Sequence, residues 1–254
     1  MEIKVEEKPK FVAFMKEQLS LDAKKTAIVA IDMNEGQLDP ELAVQLVPEG
    51  PRKRVLAGTR KLIEIARKHE IPIIHVSITR RAIESQRRRN PYSRFTGIAN
   101  AKLAPQDRSW EGQGTRPDYA GGAWAPTVMA EIAPGPQDYL IDNKKTYSAF
   151  YGTDLEILLR TLEVDTVVMI GINTNTCVQS SCFEAVNMGF KLVVVSDCVA
   201  SAYGEDLHEF ALQNISRCIG WVLDLPELEE KLAAGGAAPA SADRNRRPET
   251  ARSL

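Results

Sequence analysis

The feature that most constrains this chain is a repeated alternation of short apolar runs with segments of helical periodicity. Thr26-Ala27-Ile28-Val29-Ala30-Ile31 is nearly all apolar and is closed by Asp32. A run that is apolar on both of its alternating faces suits a strand covered on both sides, as in a parallel sheet held between helices. Similar runs recur at residues 71–76, 139–141, 166–172 and 191–195, with a weaker one at 220–223. Between them, residues 52–68, 154–162, 176–188 and 205–217 carry apolar positions three and four apart, the spacing of one buried helix face. Such an alternation folds through right-handed crossovers. The pattern predicts an α/β protein, a three-layer α/β/α sandwich around a six-stranded, mainly parallel sheet.

At 254 residues, 44% of them apolar, the chain can bury a large core without disulfides or structural metals. Its 32 Lys and Arg offset 34 Asp and Glu to a net charge of −2, which gives no long-range attraction to nucleic acid or to an anionic membrane. No run approaches the ~18 consecutive apolar residues of a spanning helix, and no secretory signal is visible before Lys10, so a cytoplasmic location is expected. Cys177, Cys182, Cys198 and Cys218 have no paired CxxC spacing, which predicts free thiols, and the last three are expected to be buried as small apolar groups. With His69, His75 and His208 as the only histidines, no metal and no other cofactor is expected.

Residues 1–22, with Phe11, Phe14, Met15 and Leu19, read as an N-terminal helical extension, 23–232 as the domain, and 233–254 as a disordered tail. Residues 79–136 break the rhythm. They are rich in Arg, Gly and Pro, and hold Tyr92, Trp110, Tyr119 and Trp124. A stretch of that length is usually functional, here a cover for a pocket or an oligomer contact.

In open parallel sheets, ligands bind beyond the carboxyl ends of the strands, where strand order reverses. Asp32 closes the first run, Lys144 follows the third, and Cys177 follows the fourth at an expected helix start. A thiol at a helix N-terminus faces unpaired N–H groups and the positive end of the helix dipole, which lower its pKa to about 3.5–7.5. An ionised nucleophile is therefore expected at Cys177.

These residues resemble a known family. Asp32 in Ala-Ile-Asp-Met, Lys144 in Lys-Lys-Thr-Tyr-Ser-Ala-Phe and Cys177 in Gly-Ile-Asn-Thr-Asn-Thr-Cys-Val are similar, in order and in place, to the isochorismatase-like cysteine hydrolases, which include N-carbamoylsarcosine amidohydrolase and nicotinamidase. The resemblance spans about residues 23–232. It implies an Asp-Lys-Cys triad that attacks a small amide-like carbonyl through a thioester. Asp32 would take the thiol proton and hand it to the leaving nitrogen, while the Lys144 ammonium keeps both anions charged. It further implies that the backbone N–H groups of Asn173 and Cys177 form an oxyanion hole, with a cis peptide at Ile172-Asn173. Partners would be a small-molecule substrate and water, with a dimer or tetramer as the assembly.

Departures from the family narrow the pocket. The usual Met-Gln-x-x-Phe becomes Met33-Asn34-Glu35-Gly36-Gln37-Leu38, which puts Gln37 and Leu38 in the substrate pocket together with Tyr147 and Trp124. The metal-binding Asp/His cluster of nicotinamidases has no counterpart in His75-Val76-Ser77-Ile78-Thr79-Arg80, which argues against that activity. Lys145 competes with Lys144 for the cation role. Trp124 can wall the pocket or simply support structure. The arginines at 80, 81, 87–89 and 94 suit a substrate carboxylate, but a solvated surface or a subunit contact is the favoured reading. The expectation is a hydrolase of a small amide or N-carbamoyl compound with strand order 3-2-1-4-5-6. The alternatives are vinyl-ether hydrolysis of the isochorismatase type and a non-catalytic binding protein.

Overall fold

The structure is a computed structural model that describes residues 8–43, 45–87, 92 and 125–235. Six strands, β1 (Thr26–Ile31), β2 (Ile73–Ile78), β3 (Tyr139–Lys144), β4 (Thr166–Ile172), β5 (Lys191–Ala200) and β6 (Trp221–Leu223), form one sheet in the order β3-β2-β1-β4-β5-β6. Every pairing is parallel. The expected order and class are therefore present. β1 lies between β2 and β4, so strand order reverses on either side of it, and its carboxyl end is the switch point.

Burial follows the two-sided pattern of the apolar runs. Along β1, Ala27, Val29 and Ile31 pack into one core while Ile28 and Ala30 pack into the other. The first face is covered by α5 (Leu155–Thr161), α6 (Gln179–Asn187) and α7 (Glu205–Cys218), through Leu155, Leu159, Cys182, Ala185, Leu212 and Ile215. The second is covered by α3 (Glu49–Lys68) and α8 (Leu225–Ala234). In α3 the buried Val55, Thr59, Leu62 and Ala66 recur every three or four residues, so a single stripe faces the sheet. α8 begins with a capping box between Asp224 and Glu227. It runs through Ala234, past the residue at which the sequence suggested a tail, and ends on Gly235 at φ 58°, the left-handed cap that glycine adopts at least cost. A terminal helix, α1 (Pro9–Gln18), buries none of its side chains fully and is tied to α8 by Lys16 and Glu227 at 2.7 Å. The short helices are α2 (Glu35–Leu38) and α4 (Ala82–Gln86).

Among the described residues no helix is long and apolar enough to cross a membrane. Most of the 79–136 segment, including Trp110, Tyr119, Trp124 and Arg94, lies outside the described residues, as do Arg88, Arg89 and residues 236–254. Cys182 and Cys198 are buried as expected, but Cys218 is exposed. It is the last residue of α7, three positions past the inward Ile215, where the helix is already turning out into Gly220.

One buried pair makes stability depend on pH. His75 on β2 is 3% exposed, with Nε2 3.4 Å from Asp138, which Arg67 also holds at 2.6 Å. Burial pushes the imidazole below its ordinary 6.5 and outweighs the opposing pull of Asp138. The folded state thus prefers neutral His75, the unfolded chain takes up the proton first, and stability falls as pH drops below about 6.5. Thermal melts should show a loss on acidification that is smaller in His75→Gln. An equal loss in both proteins would place its origin elsewhere.

Candidate active site

All three triad positions lie at the carboxyl edge of the sheet, each placed by a different strand. Asp32 follows β1 and holds a left-handed backbone, φ 52°, a costly conformation for a residue with a Cβ and one found most often at functional sites. Its N–H donates to the Val76 carbonyl at 2.8 Å. Its Oδ1 accepts from the Ile78 N–H at 2.7 Å. Both contacts come from β2, so the neighbouring strand sets the direction of the carboxylate. Lys144 is the last residue of β3, and its carbonyl is held by the Thr79 N–H at 3.0 Å.

Cys177 sits in a π-helical turn, Thr174–Val178, between β4 and α6. The Val178 N–H reaches back five residues to the Asn173 carbonyl at 3.2 Å. Wide turns of this kind recur at functional sites. The Ile172–Asn173 peptide bond is cis, where the resemblance places it.

Lys144 joins the other two groups. Its Nζ donates to Asp32 Oδ2 at 2.6 Å and to Cys177 Sγ at 3.4 Å. Asp32 and Lys144 are 0% exposed and Cys177 6%. An ion pair so completely removed from water is tolerable only with its hydrogen bonds satisfied. The second lysine is occupied elsewhere: Lys145 bonds the Thr79 carbonyl at 3.0 Å and Glu84 at 3.1 Å, which fastens α4 to the end of β3.

The expected ionisation of the thiol is corrected by these surroundings. Burial pushes the Cys177 thiol up to about 11, with Lys144 lowering it and Asp32 raising it. Burial opposes the Lys144 charge, yet Asp32 and then Cys177 carry that ammonium above its ordinary value. At neutral pH Lys144 therefore stays an ammonium, beside a neutral thiol that hydrogen-bonds Asp32. The sequence suggested the opposite because position after a strand shows the helix start but not the depth of burial.

Side chains behind Cys177 tie its turn to the rest of the site. Ser181 Oγ donates to the Cys177 carbonyl at 2.7 Å and accepts from the Ala149 N–H at 2.9 Å, bridging the turn to the loop beyond Lys144. Ser148 of that loop bonds Glu184 on α6. Thr174 Oγ1 meets His208 Nδ1 at 2.8 Å, and Asn173 Oδ1 accepts from the Ala202 N–H at 2.7 Å. None of these partners stood out in the sequence.

The pocket residues divide. Tyr147 is half exposed, and it neighbours Tyr203, which sequence reasoning missed. Burial, then Tyr147 and Cys177, push the Tyr203 phenol above its ordinary value, and the Gln45 side chain hydrogen-bonds it. Tyr203 thus borders the thiol's surroundings. Gln37 is partly buried with an unpaired Oε1. Leu38 is corrected to a core residue: it is 0% exposed and packed in the apolar cluster with Met33 and Val47, because α2 is a single turn whose apolar position faces inward. Trp124 lies outside the described residues.

Comparison with known proteins fits this fold. Over 124 residues the chain is 37% identical to the ureidoacrylate amidohydrolase RutB of Methylobacterium radiotolerans, a match covering 49% of this chain and 48% of that protein. It thus spans about half the length of several curated relatives that it matches. It is 31% identical over 210 residues to the uncharacterized isochorismatase family protein YwoC of Bacillus subtilis, covering 81% of this chain and 93% of that one. The crystal structure of a cysteine hydrolase from Pseudomonas syringae pv. phaseolicola 1448A superposes with a TM-score of 0.65 at 21% identity, covering 85% of this chain and 96% of that one. The family model of the isochorismatase domain matches residues 26–227, a span that contains Asp32, Lys144 and Cys177. The chain belongs to the isochorismatase family.

Proposed function

We propose that the protein is a cysteine hydrolase that cleaves the C–N bond of a small amide or N-carbamoyl compound. The observation that carries this reading is the fully buried Lys144 ammonium, in contact with both a carboxylate and a thiol. That arrangement suits nucleophilic catalysis with a paired base.

The neutral resting thiol assigns the roles. When a carbonyl carbon comes within reach of Cys177, Asp32 takes the thiol proton and the sulfur adds to the carbon. The negative charge passes from the carboxylate to the carbonyl oxygen, which the backbone N–H groups of Asn173 and Cys177 would stabilise. Asp32 returns the proton to the nitrogen, the C–N bond breaks, and ammonia leaves a thioester on Cys177. Water, giving its proton to Asp32, then cleaves the S–C bond and restores the thiol. Lys144 stays charged throughout and holds the other two groups in register. The named activity of the RutB relative, an amidohydrolase, supports the same class of bond.

Ammonia release from a panel of small amides and ureido compounds tests the reading. Cys177→Ala and Asp32→Asn are each expected to lower turnover by about a thousandfold or more. If Cys177→Ala keeps full turnover while Asp32→Asn loses it, the acid alone is at work and vinyl-ether cleavage replaces this mechanism. A wild-type protein inert toward the whole panel would favour a binding role.

A further inference from the structure

Asn34 is 0% exposed, and neither its side-chain oxygen nor its nitrogen has a hydrogen-bond partner. Its place in the fold does not explain it. Asn34 is the N-cap of α2, where asparagine is favoured because its side chain can bond the first helical N–H groups, yet it makes no such bond. Only its backbone is used: its carbonyl accepts from the Gln37 and Leu38 N–H groups at 3.0 Å, and it forms a bridge with Val128. An unpaired amide in a dry interior is destabilising, and leucine, with the same number of side-chain heavy atoms, would not carry that penalty.

Position suggests what the carboxamide does. Asn34 follows Asp32 by two residues, so their Cα atoms are within about 7 Å by chain length alone, at the switch point of the sheet. Two further buried unpaired atoms flank the triad in the chain: Gln37 Oε1, one turn beyond Asn34, and Thr176 Oγ1, immediately before Cys177. Asn143 is also unpaired, but it alternates with Lys144 along β3. Buried unpaired polar atoms thus lie within a few residues of Asp32 and of Cys177 along the chain.

We propose that Asn34 determines specificity, its side-chain carbonyl accepting the substituted N–H of a ureido (N-carbamoyl) substrate, with Gln37 as a supporting acceptor. The inference rests on the amide-hydrolase reading above and narrows it. A ureido group, R–NH–CO–NH2, differs from the matching amide, R–CH2–CO–NH2, by one N–H beside the carbonyl under attack. On burial that N–H loses its water and needs an acceptor, and a site built to supply one favours the ligand that fills it. In the reaction, sulfur adds to the ureido carbonyl, the bond to the terminal nitrogen breaks with the proton from Asp32, and ammonia leaves. Water cleaves the S–C bond of the resulting S-carbamoyl enzyme, and the released N-carboxylate loses carbon dioxide to give the amine.

The test compares matched pairs such as N-carbamoyl-β-alanine and glutaramate, which differ only by NH against CH2. Wild type is expected to favour the ureido member of such pairs by about 10- to 100-fold in kcat/KM. Asn34→Leu should remove that preference by lowering the ureido rate, leave the amide rate within about threefold, and keep or raise Tm. A residue needed only for the fold would instead lower Tm and both rates together, and that result overturns the inference. Gln37→Leu, at a partly exposed site, should shift the ratio in the same direction by a smaller factor, and an unchanged ratio in both variants also overturns it. Wild type that cleaves amides without preferring ureido compounds defeats the inference and leaves the amide-hydrolase reading standing. Wild type that cleaves neither class defeats both.

Discussion

Lys144→Met is expected to abolish turnover and to destabilise the protein by about 3–5 kcal/mol, lowering Tm by on the order of 10 °C. Methionine nearly matches the length of the lysine stem, so packing is largely kept and the loss is electrostatic. Without the ammonium, Asp32 loses its cationic partner at 0% exposure and keeps the Ile78 N–H and the neutral Cys177 thiol. Removing one partner of a buried pair costs much more than removing both, because the survivor is left desolvated and unpaired. The double variant Asp32→Asn/Lys144→Met should therefore melt above Lys144→Met. Melting curves of the two single variants, the double variant and wild type measure the coupling. A Lys144→Met protein as stable as wild type would mean that the pair contributes nothing to the fold.

Gly171→Ala is expected to prevent folding, with a loss of more than about 4 kcal/mol. Gly171 is paired with Ile31 in the middle of the sheet and has φ +127°, a backbone conformation that a Cβ disfavours. An added Cβ would lie 2.0 Å from the Ile31 carbonyl oxygen. That oxygen belongs to the residue before Asp32, so relief would drive β1 and the Asp32 carboxylate apart from β4. Gly50→Ala is the control. It lies in α3 with nothing within 4 Å of the new atom, and helix propensity alone predicts no loss, or a gain of up to about 1 kcal/mol. Circular dichroism and soluble yield of the two variants decide the matter, and a folded Gly171→Ala would refute the close approach.

The strand order, and the meeting of Asp32, Lys144 and Cys177 at one edge of the sheet, were legible because they depend on coarse facts. A two-sided apolar run marks a central strand, and a polar residue just after such a run lies at the ligand-binding edge. Boundaries followed local chemistry that the pattern does not carry. β5 runs on to Ala200 although the apolar run stops at Val195, because polar groups in the interruption have partners supplied by other elements. Arg54 of α3 bonds the carbonyls of Ser196 and Val199, and Asp197 accepts from the Leu225 N–H at 2.9 Å. The strand then re-pairs with β4 through Gly171 and Val199 after a register shift. Tyr203 was invisible for the same reason, since it stands just past an extension that the alternation did not show. Asn34 and Ser181 were unreadable because an amide or hydroxyl in sequence does not disclose whether it is paired.

The ionisation of Cys177 was misread for a different reason. Helix start, nearby cation and burial act on one thiol in opposite directions, and burial at Cys177 outweighs the cation 3.4 Å away. In the proposed mechanism Asp32 is the base for a neutral resting thiol, rather than a bystander to a preformed thiolate–ammonium pair. Ultraviolet absorbance of the thiolate tests it most directly, recorded against pH as the difference between a Cys218→Ser protein and its Cys177→Ala derivative, which removes the exposed thiol from both. The account predicts a flat difference up to about pH 9 and a rise only towards about 11. A thiolate step at or below neutral pH would contradict it.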